Sequence, residues 1–293
     1  MYNGYRQRRI IKENRQRKPS QDGDARIRKQ RYNFILYSLH TSVRVHIHMV
    51  RCILLNTILF DLDGTLLPMT QDAFIEAYFR ELTEKFVSIG LEAKKSVQAV
   101  WAGTKAMMKN DGSICNSSRF WSEFSSFYGG IEDRLADIEA ETDLFYVNEF
   151  NRVKRIITPT DLPAKLIAAL TGKGYTVVLA TNPFFPPQAV ASRLSWIGLT
   201  LEDFKLHTDY RNARFCKPNP GYYQDIFTAL NVNPGQCLMV GNTVVEDMCA
   251  AKLGCDTYLV TDYLENPEGA DYSMYEQGTL ADFAALAELL PQL

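Results

Sequence analysis

The sequence predicts an α/β protein: a doubly wound parallel sheet, interrupted after its first strand by a helical domain. Short β-rich apolar segments alternate with helical segments between residues 156 and 293, a pattern typical of a parallel sheet flanked by helices. One more strand pattern, at 52–60, is separated from the others by residues with almost purely helical spacing. With 293 residues, 46% of them hydrophobic, the chain is long enough for a sizeable core and two domains.

Residues 1–51 differ in charge from the rest of the chain. They hold 13 Lys/Arg and 3 Asp/Glu, whereas the remainder holds 19 Lys/Arg and 31 Asp/Glu. The segment has no sustained apolar period, so we expect a solvated or disordered extension. Three interpretations stay open: a nucleic-acid-binding arm, a transit peptide, and sequence upstream of a true start. We favour the last, because Met49 lies just before the first predicted strand. The acidic remainder argues against nucleic acid as the main partner.

Cysteine spacing and hydropathy argue against several classes of protein. The six cysteines form no Cys-x-x-Cys pair, so neither a zinc site nor a disulfide framework is indicated. We therefore expect a reduced, cytoplasmic protein. No apolar run reaches the length needed to span a bilayer, so a membrane is not among the expected partners.

The predicted helical domain covers residues 70–155, and the predicted core covers 52–69 and 156–293. In the helical domain, apolar residues recur at helical spacing in four segments, 71–90, 94–110, 117–129 and 134–155. In the core, strands are predicted at 52–60, 175–182, 204–210, 236–242 and 256–262, and helices at 163–174, 187–198, 220–231, 245–254 and 280–290.

Polar side chains stand where the predicted strands end or just before the helices that follow. They are Asp61, Asp63, Thr181, Asn182, Lys217, Asn242 and Asp247. In open parallel sheets, ligands bind at the carboxyl ends of the strands, so we expect these side chains to converge on one crevice. Asp61 and Asp63 are two residues apart on an extended segment, which places both carboxylates on the same face.

The segment "FDLDGTLL" at 60–67, together with Thr181, Lys217 and "VGN…ED" at 240–247, resembles the haloacid dehalogenase superfamily, mainly its phosphatases. The resemblance covers about residues 53–293 of this sequence. It implies a Rossmann-like core, and the helical insertion after the first strand matches the family's first type of cap. It also implies Mg²⁺ as cofactor.

The resemblance implies a role for each strand-end residue. Asp61 is the nucleophile that forms an aspartyl-phosphate, and Asp63 is the general acid and base, with a backbone carbonyl that binds Mg²⁺. Thr181, the backbone N–H of Asn182, and Lys217 bind the phosphate, and Gly64 permits the sharp turn of the chain beside it. The metal ligands implied are Asp61, Asp63, Asp247 and Asn242.

One position departs from the family pattern. The family usually has an acid directly after the glycine, but here Asn242 follows Gly241. An amide lends an oxygen to a hard cation but carries no charge, so we expect weaker Mg²⁺ binding. Asp247 keeps the second acidic position, and helical geometry is expected to direct Glu246 away from the site.

The sequence therefore favours a Mg²⁺-dependent phosphatase that cleaves a small phosphorylated metabolite through an aspartyl-phosphate. Three alternatives stay open: a sugar phosphomutase, a metal-independent 2-haloacid dehalogenase, and a non-catalytic binding protein with the same fold. Asp63 argues against a dehalogenase, which needs no leaving-group acid. Lys105, in the helical domain, is a candidate specificity residue, although a solvated helix end is the interpretation that we favour. The sequence does not assign an oligomeric state.

Overall fold

The structure, a computed structural model, describes residues 55–293. The predicted basic extension at 1–51, and residues 52–54 of the predicted first strand, lie outside the described residues. The strands are β1 Thr57–Phe60, β2 Thr176–Leu179, β3 Leu206–His207, β4 Cys237–Gly241, β5 Asp256–Val260 and β6 Glu276–Gly278. They form one sheet in the order β3-β2-β1-β4-β5-β6, and every neighbouring pair is parallel. The predicted parallel sheet is confirmed.

Helices follow most of the strands as the sequence predicts. Between β1 and β2 lie α1 Gln71–Ser88, α2 Ala93–Met108, α3 Asn116–Tyr128 and α4 Leu135–Val147, which we call the inserted helices. The further α-helices of the described residues are α5 Leu162–Gly172, which also precedes β2, α6 Pro187–Trp196, α7 Pro220–Leu230 and α8 Leu280–Leu289. Among the residues that the structure describes, no helix combines the length and the apolar composition needed to cross a membrane. The division into a core and a separate helical domain stays a prediction.

Strand β1 is buried on both faces of the sheet, which explains its uninterrupted apolar sequence. Phe60 packs in the cluster that contains α5 and α8, and its ring lies 5.7 Å from that of Phe283. Leu59 points to the opposite face and packs in the cluster formed with α7, which includes Tyr223 and Phe227. Because β1 pairs with both β2 and β4, the carboxyl ends of these three strands meet at one edge.

Two elements differ in extent from the prediction. The helix predicted at 134–155 ends at Val147 and continues as a 3₁₀-helix, Glu149–Ile156. Asn148 and Asn151 lie at this break, and their side-chain amides donate to the carbonyls of Leu144 and Val147, which provides a local alternative to the helical hydrogen bonds. The sequence did not predict β6, because this short, mostly exposed edge strand lacks an apolar pattern.

The helix predicted at 245–254 is wrong in type. The chain forms a turn there, followed by a short 3₁₀-helix, Met248–Leu253. The backbone N–H of Val244 donates to Glu265 at 3.0 Å, and the carboxylate of Asp247 accepts the N–H of Thr243 at 3.0 Å. These long-range and side-chain contacts compete with regular α-helical hydrogen bonds.

The inserted helices are held together by aromatic side chains. In α3, Phe124 is fully buried and its ring lies 5.8 Å from that of Phe86 and 5.2 Å from that of Trp121. Phe127, one turn further along the same helix, is 46% exposed. The amphipathic spacing predicted for this helix therefore separates a core residue from a surface residue.

Replacing Phe124 with alanine is expected to lower the free energy of unfolding by about 3–5 kcal/mol, since it removes a buried ring and leaves a cavity. Phe127→Ala is the matched control and is expected to change the free energy of unfolding by less than about 1 kcal/mol. Urea denaturation followed by circular dichroism measures both. Equal losses in the two variants would contradict the packing of α3.

Candidate active site at the carboxyl edge of the sheet

A buried lysine joins two carboxylates at the edge where β1 and β4 end. The ammonium of Lys217 donates to Asp61 Oδ1 at 2.8 Å and to Asp247 Oδ1 at 2.6 Å. Burial acts to lower the pKa of Lys217, but the charges of Asp247 and Asp61 outweigh it and raise that pKa well above its ordinary value. The lysine is therefore positively charged, although only 1% of it is exposed.

Asp247 is the more deeply buried of the two acids. Its second oxygen accepts the backbone N–H of Thr243, so both oxygens have a protein donor. Burial raises the pKa of Asp247 to about 7; Lys217 opposes that shift and Asp61 adds to it. One lysine thus compensates two acids that lie close together.

Asp63 pairs with a residue that the sequence did not single out. Its Oδ2 accepts from the guanidinium of Arg193 in α6, and its Oδ1 has no hydrogen-bond partner among the described residues. Arg193 is fully buried, and its guanidinium lies 4.5 Å from the centre of the Phe185 ring. Burial raises the pKa of Asp63; Arg193 opposes that shift, and the carboxylate of Asp61 adds to it.

A sequence signal for Arg193 exists but is weak. The residue lies four positions after Ala189 and three after Val190, so the helical spacing places its cation on the apolar face of α6. A charged residue in such a position indicates a buried ion pair, but the spacing alone does not identify the partner.

Thr181 and Asn182 follow β2, close to Lys217. The carbonyl of Thr181 accepts from the hydroxyls of Thr208 at 2.7 Å and Tyr222 at 2.9 Å, and only 2% of the residue is exposed. The side-chain oxygen of Asn182 accepts the backbone N–H of Lys217 at 3.2 Å. Both residues line the cavity that also contains Asp61, as the predicted crevice requires.

Glu246 lies in the site, so the expectation that it points elsewhere is wrong. Its Oε2 accepts from Asn182 Nδ2 at 2.8 Å, and its side chain lines the same cavity as Asp61. The reason is that residues 244–247 form a turn and not the predicted first turn of an α-helix.

Asn242 connects the loop after β1 to the loop after β5. Its Oδ1 accepts from the Thr65 hydroxyl at 3.1 Å and its Nδ2 donates to the carbonyl of Tyr263 at 2.7 Å. Gly64, at φ +80°, passes so close that an added Cβ would lie 2.3 Å from Asn242 Nδ2. The glycine is therefore required both by its backbone conformation and by this approach.

A further acid, Glu265, lies beside the site and was missed by the sequence reasoning. Its backbone N–H donates to the carbonyl of Asn242 at 2.9 Å, in a loop that carries no motif. Burial raises the pKa of Glu265 to about 7, and the charges of Asp61 and Asp247 contribute to that shift. Only its position in the fold reveals it.

The acids of this edge outnumber its cations. Five carboxyl groups line the cavity or adjoin it, against the two cations Lys217 and Arg193; they belong to Asp61, Asp63, Glu246, Asp247 and Glu265. Within residues 55–293, no cluster of three or more His, Cys, Asp or Glu side chains is arranged to hold a metal ion. The predicted ligand set is of another type, with carboxylate, amide and backbone oxygens, which are donors that fit a hard cation such as Mg²⁺.

A cavity of about 280 Å³ lies over these groups. Its floor includes Asp61, Asp63 and Thr181, and its walls come mainly from the inserted helices. Lys105 is exposed on α2 and is not among the residues that line the cavity, so the structure does not bring this candidate specificity residue to the site.

Solved structures of similar fold include both phosphatases and dehalogenases. A HAD phosphatase from Thermococcus onnurineus is 17% identical, with 82% of this chain and 100% of that chain covered, at a TM-score of 0.50. A HAD-family hydrolase from Bacillus subtilis, YfnB, was solved bound to magnesium. It is 20% identical, with 80% of this chain and 99% of that chain covered, at a TM-score of 0.51. The defluorinating L-2-haloacid dehalogenase Rha0230 is 12% identical, with 80% and 95% covered, at 0.52. At such identities the likeness concerns the fold alone.

One of two sequence comparisons agrees with this fold. The search of curated proteins found no match to the chain. A family model described as haloacid dehalogenase-like hydrolase matches residues 55–254, which contain Asp61, Thr181, Lys217 and Asp247. On that match, the chain belongs to the haloacid dehalogenase-like hydrolases.

Proposed function

We propose that the chain is a phosphatase that cleaves a small phosphomonoester by transferring the phosphoryl group to Asp61. The observation that carries the proposal is Asp63, a second carboxyl group on the same cavity whose Oδ1 has no hydrogen-bond partner among the described residues. An alkoxide leaving group needs a proton, whereas a halide leaves without one. A dehalogenase would therefore have no use for Asp63, and a phosphatase does.

Lys217 prepares the attack. A carboxylate and a phosphate repel each other, and an ammonium 2.8 Å from Asp61 offsets that repulsion in a site from which water is largely excluded. Because Lys217 also binds Asp247, its position is determined from two sides before any substrate arrives. The hydroxyl of Thr181, on the same cavity, is available to donate to a phosphate oxygen.

Asp63 delivers and removes the proton. Burial favours its protonated form, and Arg193 binds one of its oxygens, which leaves the other without a hydrogen-bond partner among the described residues. The protonated carboxyl gives its proton to the leaving oxygen. The resulting carboxylate then takes a proton from the water that hydrolyses the aspartyl-phosphate.

Asp61, Asp247, Asn242 and the backbone carbonyl of Asp63 are the groups that would hold Mg²⁺. When bound, the ion supplies positive charge to the equatorial phosphate oxygens in the transition state. The surplus of carboxylates at this edge supports a divalent cation there. The amide of Asn242 is engaged with Thr65, which is consistent with binding weaker than a third carboxylate would give.

The experiment that tests the proposal is hydrolysis of an aryl phosphate by the purified chain, with Mg²⁺ and then with excess chelator. We expect turnover with the ion and its loss with the chelator. Asp61→Asn is expected to show no turnover, and Asp72→Asn, an exposed acid in the first turn of α1, is the control that keeps wild-type rates. Wild-type turnover by Asp61→Asn would refute the mechanism.

Lys217→Met is expected to abolish turnover and to lower the free energy of unfolding by about 3–5 kcal/mol, because it leaves Asp61 and Asp247 buried without their cation. Adding Asp247→Asn to this variant is expected to restore part of the stability but none of the activity. Urea denaturation and the aryl phosphate assay give the two measurements. The exposed Lys205→Met serves as control, and a Lys217→Met protein of wild-type stability would contradict the buried pairing.

Glu265→Gln is expected to stabilise the metal-free protein above pH 7. The pKa of Glu265 is raised from 4.5 to about 7, so the folded chain holds this proton more tightly than the unfolded chain, and wild-type stability falls as pH rises through that range. Glutamine does not titrate, so the variant keeps this stability as the pH rises. The expected gain in free energy of unfolding is about 1 kcal/mol, because the group is partly exposed.

Urea denaturation at pH 5 and pH 8 in the presence of chelator measures this difference. The exposed Glu268→Gln, three residues away, is expected to have the same small effect at both pH values. A Glu265→Gln protein with the same pH dependence as wild type would contradict the proximity of this acid to the others.

A further inference from the structure

The walls of the cavity are apolar and aromatic. Phe74 and Phe79 from α1, Val100 and Trp101 from α2, and Trp121 from α3 contribute to them. The rings of Phe79 and Trp101 are stacked, with centres 5.2 Å apart. The part of a substrate that lies above the reacting centre is thus in contact with hydrocarbon.

The cavity surface carries charged side chains only at its floor. The charged residues that line the cavity are all acids: Asp61, Asp63, Glu246 and Glu265. No Lys, Arg or His of the described residues is among the lining residues. A leaving group that carried a carboxylate or a second phosphate would therefore meet no cation and would lie near other acids.

Three hydrogen-bond donors of the walls are already engaged within the protein. The hydroxyl of Thr104 donates to the carbonyl of Val100 at 2.9 Å, and that of Thr142 donates to Ile138 at 2.7 Å. The indole N–H of Trp121 donates to a tyrosine hydroxyl at 3.3 Å. These donors are not free for the hydroxyl groups of a sugar, which would lose hydrogen bonds to water on entering.

We propose that the substrate's leaving group is an uncharged, apolar alcohol, ring-sized or branched. As a statement about a substrate, this inference rests on the proposed function. Binding of the alcohol does not depend on that function, because the cavity walls contact the alcohol half and not the phosphate. A cavity of about 280 Å³ has room for one small ring system.

The binding test uses two compounds of the same shape, cyclohexylmethanol and cyclohexanecarboxylate, and follows tryptophan emission of the full chain. Of the three tryptophans, Trp101 and Trp121 line the cavity, and Trp196 does not. We expect saturable binding of the alcohol and at least tenfold weaker binding of the carboxylate. Equal or tighter binding of the carboxylate, or no binding of the alcohol, would overturn the proposal.

Thr104→Lys provides a positive test of the charge argument. Thr104 lines the cavity, so a lysine there introduces the missing cation and is expected to shift the preference at least tenfold toward the carboxylate. Gln98→Lys, exposed on the same helix, is the matched control and is expected to leave the preference unchanged. An unchanged preference in Thr104→Lys, with a folded protein by circular dichroism, would count against recognition by this cavity.

Turnover separates this inference from the proposed function. With Mg²⁺, kcat/KM for cyclohexylmethyl phosphate is expected to exceed that for glycerol phosphate at least a hundredfold. Binding of the alcohol without hydrolysis of any phosphomonoester would refute the phosphatase and leave the apolar site standing. Hydrolysis of glycerol phosphate at an equal or higher kcat/KM would refute the apolar site and leave the phosphatase standing.

Discussion

The contact on which the site depends is that of Lys217 with Asp61 and Asp247. These residues come from three segments, after β1, before α7 and after β4, and a single ammonium group holds them together. A buried charge without partners is costly, so each member of the cluster requires the other two. The parallel pairing of β1 with β4 brings the two carboxylates to the same edge, and the positive charge of the lysine offsets their repulsion.

Asn242 illustrates how a departure from a family pattern is accommodated. Its amide binds the Thr65 hydroxyl and the Tyr263 carbonyl, which a carboxylate cannot do with both of its oxygens as acceptors. Another acid at this position would also add to a crowd of carboxyl groups whose pKa values are already raised, such as those of Asp247 and Glu265. The amide therefore carries no charge but connects two loops by hydrogen bonds.

In the proposed function, the cavity separates chemistry from recognition. Its floor is made by residues at the ends of strands, which carry the acids. Its walls are made by the inserted helices, whose side chains pack against one another as well as against the space they enclose, as Phe79 does with Trp101. Apolar walls of this kind lower the local dielectric, which strengthens the electrostatic contacts at the floor.

The sequence by itself determined the class of fold, most strands and helices, and the central residues Asp61, Asp63, Thr181, Lys217 and Asp247, because these lie in local patterns of strand, turn and helix. Tertiary structure alone decided the pairing of Asp63 with Arg193, the positions of Glu246 and Glu265, and the exclusion of Lys105 from the cavity. It also replaced the α-helix predicted at 245–254 by a turn and a short 3₁₀-helix. Each of these depends on contacts between residues far apart in sequence, and side-chain periodicity carries no information about such contacts.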